Sequence, residues 1–240
     1  ELKEVGKIIS KRLGRKLEAY DIWYDGFKPR SNLDEAKLDA QIQKLYPNAE
    51  AFKAGLPSLL THLGFTPERA NEICDKIAVD AARGSGHAWG AAMKGQQSHL
   101  RTRIPAEGMN YKGYNIAVHE FGHNVEQTIS IYNVDNFMMA GVPNTAFTEA
   151  LAFVFQKRDL QLLGIENNDP EKDKMDILDK FWSLYEIMGV SMLDISIWEW
   201  LYANPNATAE QLKEASISLS KEIWNKYYAP VFGKKDETVL

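Results

Sequence analysis

Thiol sulfur is almost missing from this chain: Cys74 is the one cysteine, which rules out an internal disulfide. It lies in an apolar-periodic stretch and reads as a buried, inert thiol. Long hydrophobic runs are also missing, so nothing in the sequence is suited to span a bilayer as a helix. No block of Lys and Arg is present and the formal net charge is −5, which argues against nucleic acid as the main partner. Internal repeats and low-complexity tracts are absent. What remains is ordinary globular material: 45% hydrophobic and 25% charged residues over 240 positions, enough for one sizeable domain or two small ones. The chain starts with Glu1, inside a helical pattern, and stops at Leu240 soon after another. It therefore reads as a piece of a longer protein, whose remainder would be its first partner. Its location stays open between cytoplasmic and periplasmic or secreted.

Periodicity predicts a mainly α fold with one small β element. Helices are predicted from Glu1 to about Leu17, from a Ser31-Asn32 cap to about Tyr46, and from about Glu50 to Leu63. An aromatic loop with Tyr20, Trp23, Tyr24 and Phe27 follows the first. Thr66 caps a helix whose first residue is Pro67, predicted to run to about Ala82. Arg83-Gly84-Ser85-Gly86 breaks the pattern, and His87–Met93 with Ser98–Ile104 reads as a β-hairpin ended by Pro105. Further helices are predicted at Lys112–Tyr132, Asn144–Leu163, Glu171–Met188, Ser191–Tyr202 and Thr208–Tyr228. The acidic run from Glu166 to Asp176 reads as an exposed loop and helix start. The organisation expected is a helical upstream part (1–82), a central region carrying the chemistry (83–165) and a helical downstream part (166–240).

The informative segment is His119-Glu120-Phe121-Gly122-His123. Residues four apart on a helix share a face, so both imidazoles can reach one ion, and zinc accepts neutral imidazole nitrogen. Val118, Phe121, Val125, Ile129 and Tyr132 form an apolar stripe that anchors the helix and leaves the histidines pointing away from the core. Glu120 lies beside the histidine face, where it can take a proton from bound water. Gly122 costs about 1 kcal/mol relative to Ala in a helix interior, which predicts close approach by another backbone. A catalytic site needs a third protein ligand and one open position. Glu149 is the candidate: Phe147, Ala150, Leu151, Val154 and Phe155 form a second apolar stripe, and Glu149 points away from it. Alone it would read as a solvated carboxylate; below a His pair it reads as a ligand facing the first helix.

HEFGH followed by Glu149 in Asn144-Thr145-Ala146-Phe147-Thr148-Glu149-Ala150 resembles a gluzincin metallopeptidase. The 25 residues between His123 and Glu149 resemble the thimet oligopeptidase and oligoendopeptidase F family, with the angiotensin-converting enzymes and thermostable carboxypeptidases as relatives. Leu17-Glu18-Ala19-Tyr20-Asp21-Ile22-Trp23-Tyr24 is similar to an upstream stretch of the oligopeptidases, and Gly86-His87-Ala88-Trp89 resembles the edge strand that pairs with substrate in converting enzymes. The resemblance implies Zn2+ as cofactor, His119, His123 and Glu149 as its ligands, Glu120 as general base, and His87 and Ala88 as substrate contacts. It also implies a deep cleft that selects short peptides. Where converting enzymes carry an Asp to orient a ligand histidine, this chain has Phe153; Glu126 is the candidate substitute. The family's oxyanion-binding Tyr or His falls past Leu240, with Tyr227 and Tyr228 as the late candidates here. The expectation is a zinc-dependent peptidase of short peptides. The rival readings are a zinc carboxypeptidase of the same clan, an inactive zinc-binding relative, and a zinc hydrolase of non-peptide amides.

Overall fold

The computed structural model describes residues 1–28, 34–139, 144–165 and 170–240. It is mainly helical with one three-stranded sheet. The chain divides into two compact units, one of Glu1–Asn32 with Asn168–Leu240 and one of Leu33–Asn167.

The second unit begins with α2 (Glu35–Leu45), capped by Asp34; the Ser31-Asn32 cap lies outside the described residues. α3 (Ala49–His62) follows from the Asn48 cap, and α4 (Pro67–Cys74) from Thr66, with proline at its start as predicted. α4 stops at Cys74 instead of running to Ala82, because Lys53 Nζ takes the carbonyls of Cys74 and Ile77. A cation at a helix C-terminus satisfies free carbonyls and the macrodipole together. The alanine-rich stretch beyond it is a strand, β1 (Ile77–Ala82), whose local helix preference yields to pairing. β1 pairs in parallel with β3 (Ser98–Arg103), and β2 (His87–Trp89) pairs with β3 antiparallel on its other side. The hairpin is therefore present, with a third strand that the sequence reading missed. Cys74 is buried, and desolvation pushes its thiol up to about 12, so the inert reading holds.

The centre of this unit is α5 (Tyr111–Asn133), capped by Asn110. Val118, Phe121 and Val125 are buried, as the stripe predicts. One side of α5 carries the sheet: Thr102 Oγ1 donates to the Gly113 carbonyl at 2.8 Å. The other side carries α6 (Thr145–Gln156), followed after a break at Lys157-Arg158 by α7 (Asp159–Leu162). At the crossing a Cβ on Gly122 would lie 2.8 Å from Ala152 Cα, so glycine is what lets the helices touch. The predicted α6 stripe is only partly correct. Phe155 is buried and Leu151 partly so, whereas Phe147, Ala150 and Val154 are exposed, and the buried Ala152 lies outside it.

The first unit packs α1 (Leu2–Leu13) with a 3-10 turn (Ala19–Trp23), α8 (Lys172–Ala203), α9 (Ala209–Ile223), a π-helical turn (Trp224–Tyr228) and α10 (Ala229–Phe232). α1 ends at Leu13 with left-handed Gly14, short of the predicted Leu17. The two helices predicted on either side of Gly189 are one 32-residue helix. Gly189 is no breaker: it leaves the space that the Tyr228 hydroxyl fills. Trp182 and Trp224 are core residues, while Trp198 is exposed. Among the described residues, no helix is long and apolar enough to cross a membrane.

Candidate metal centre

The α5–α6 crossing at Gly122 and Ala152 brings three side chains together. His119 and His123, one turn apart on α5, face Glu149 on α6. His119 Nε2 and Glu149 Oε2 lie 3.4 Å apart, as do His123 Nε2 and Glu149 Oε1. One ligand atom from each of the three residues falls within 4.8 Å of the others. Bonds of about 2.0–2.2 Å from zinc to nitrogen and oxygen give a tetrahedron with edges of roughly 3.3–3.6 Å, so each histidine lies at ligand spacing from one of the two Glu149 oxygens. Both histidines are mostly buried, while Glu149 is 43% exposed. Burial holds the His123 imidazole below its usual range, against the upward pull of Glu149, which favours the neutral form that ligates. Phe153, where relatives of the resembled family carry an Asp, packs its ring edge-on to His119 at 5.0 Å.

Glu120 is half-buried beside β2. Desolvation raises its carboxyl above the ordinary range, and the Ala88 N–H and the nearby His119 and His87 pull it back down. Ala88, predicted to meet substrate backbone, turns its backbone toward Glu120. Gly86 is packed where a Cβ would overlap Ile116, which seats β2 against this face of α5. Asn124 Nδ2 holds the next part of the strand through the Trp89 and His99 carbonyls, at 3.4 and 3.1 Å. His87 is exposed on this edge strand, its ring stacked toward Trp89 at 6.0 Å. His99 bonds Asp80 at 2.8 Å and stacks on Trp89 at 4.8 Å.

Two predicted roles are corrected. Glu126 is not the partner that orients His119; that position is taken by Gln156, whose Oε1 meets His119 Nδ1 at 3.1 Å. Gln156 Nε2 donates to Asn115 Oδ1 at 2.8 Å, and Asn115 Nδ2 to Asp159 Oδ2 at 2.6 Å. The sequence held a faint signal for this. Asn115 lies one helical turn before His119 and Gln156 two turns after Glu149, on the faces that meet. Tyr228, predicted as an oxyanion donor, is fully buried in the first unit, where its hydroxyl donates to the Tyr185 carbonyl at 2.6 Å. Tyr227 sits half-buried in the same unit, its ring under Lys226 and its carbonyl accepting the Tyr185 hydroxyl at 2.7 Å.

No protein-family profile matches this sequence, and no curated protein matches it. Among solved structures, one similar chain is a crystal structure from Bacillus anthracis str. Ames assigned as an oligoendopeptidase F. Its TM-score is 0.48 and its sequence identity 15%, over 99% of this chain and 50% of that one. The chain thus spans half the length of the solved protein it matches.

Proposed function

We propose that this chain carries the active centre of a zinc-dependent peptidase acting on short peptides. The observation that carries this reading is the cluster of His119, His123 and Glu149, whose ligand atoms lie within 4.8 Å of one another. Three protein ligands leave the fourth position for water or substrate, which is the pattern of a catalytic zinc site. Zn2+ bound there would polarise the scissile carbonyl and lower the pKa of its water.

The chain's own groups supply the rest. Glu120 stands next to the cluster, and its burial makes the carboxylate a stronger base than an exposed one. It accepts the water proton and later delivers it to the departing amine. β2 is an edge strand alongside, so an extended peptide can align there by backbone pairing, with His87 exposed to its side chains.

Metal content and peptide turnover, measured side by side, test the reading. His119→Ala or His123→Ala should lose most of the bound zinc. Glu120→Gln should keep the zinc and lose turnover by about a hundredfold or more. Near-normal turnover in the Glu120→Gln protein would refute the role given to that carboxylate. Zinc bound at full occupancy without any turnover in the unaltered chain would favour an inactive zinc-binding protein.

A further inference from the structure

Building on the zinc reading, we infer that Asp159 is a positioning residue for the metal centre: acting through Asn115 and Gln156, it dictates which nitrogen of His119 carries the proton.

The argument starts at the buried end. Asp159 is 5% exposed. Its Oδ2 accepts the Tyr111 hydroxyl and Asn115 Nδ2, both at 2.6 Å, and its Oδ1 accepts the Leu160 N–H at 2.6 Å. Three donors converge on it, the environment of an ionised carboxylate, which can only accept. Asn115 must therefore turn its NH2 toward Asp159, and its oxygen faces the other way. That oxygen meets Gln156, so Gln156 must present its own NH2 there and aim Oε1 at His119. An amide oxygen can only accept, so His119 Nδ1 must carry the hydrogen. Nε2 is then left with its lone pair directed at the space beside Glu149, the only tautomer that can ligate a metal through that atom.

Each amide in the relay could be reversed without changing its shape. What prevents reversal is the charge at the far end. The device differs from a carboxylate placed against the histidine itself. It fixes direction while keeping the negative charge two amides away from the ligand set. Tyr114 anchors the same turn, its hydroxyl donating to the Asp159 carbonyl at 3.1 Å.

The test uses Asp159→Asn, which keeps size and shape but can donate as well as accept. With the direction lost, Asn115 and Gln156 are free to flip, and His119 should populate the Nε2–H tautomer. In metal-free protein, 15N NMR of the histidine ring should show His119 as the Nδ1–H tautomer in the unaltered chain and as a mixture in the variant. Zinc affinity, measured by chelator competition, should fall tenfold to a hundredfold. Adding Gln156→Glu places an acceptor-only group directly at Nδ1, and Asp159→Asn/Gln156→Glu should recover both the tautomer and the affinity. If Asp159→Asn fails to fold, Gln156→Met breaks the relay at its half-buried end and should produce the same tautomer mixture. An unchanged tautomer in either variant overturns the inference. The zinc reading is checked separately by His119→Ala: if that variant keeps its zinc, the metal assignment fails, whatever the tautomer experiment shows.

Discussion

At the scale of single residues, Glu120 and Glu126 show how one helix gives two carboxylates different consequences. Glu120 has its pKa raised by burial and pulled back by the nearby His119 and His87. Glu126, two turns from Glu120 and half-buried, has its pKa raised by burial, with no charge pulling it back. In the folded state Glu126 holds its proton more tightly than in the unfolded chain. Between the ordinary glutamate value and the raised one, the folded protein binds more protons, so stability falls as pH rises through that window. Above it the cost of the buried charge is fully present, and below about pH 4 it is absent. Glu126→Gln should therefore raise the urea midpoint at neutral pH and leave it nearly unchanged at about pH 4. An equal gain at both would mean that charge is not the cause.

At the scale of elements, the α5–α6 crossing sets the geometry. Gly122→Ala would press a methyl group against Ala152 Cα and the Phe155 ring. The expected loss is about 1–3 kcal/mol in urea unfolding, the usual cost of overpacking. Because Glu149 rides on α6, zinc affinity should fall in the same variant; unaltered affinity would mean that the crossing has slack. A close approach at Gly122 was legible in the sequence, since a glycine in a helix interior needs a reason, but that α6 makes it was not. The α5 stripe and the Thr66 cap were legible for the same kind of reason, each being a local pattern with a local cause. The missed elements have distant causes. β1 is a strand because β3 lies beside it and Lys53 ends α4, and neither fact is near in sequence. α8 continues through Gly189 because Tyr228 needs the room. The partner of His119 was misassigned to Glu126, a carboxylate on the same helix, when the partner is an amide on another. Gln156, Asn115 and Asp159 look like unremarkable polar residues until the fold stacks them.

At the scale of the whole molecule, every residue assigned to the candidate centre belongs to the unit of Leu33–Asn167: the three ligand candidates, Glu120, β2 and the Asp159 relay. That unit has its own core, from Ile42 and Phe52 through Leu100 to Phe121 and Phe155. Expressed alone, residues 34–165 should bind zinc with the affinity of the 240-residue chain. A loss of more than about tenfold, or roughly 1.4 kcal/mol, would show that the other unit supports the ligands.

The first unit is made from both ends of this chain, and that has a consequence during synthesis. Val5 and Ile9 of α1 are buried by partners such as Trp182, Trp224 and Phe232, all of which lie after residue 168. A ribosome adding roughly 5–20 residues per second needs roughly 7–27 s to make the intervening unit. For that interval the residues that bury Val5 and Ile9 have not yet been made, while the unit of Leu33–Asn167 can already close. Any chaperone capture of α1 on nascent chains should therefore end when α8 to α10 emerge.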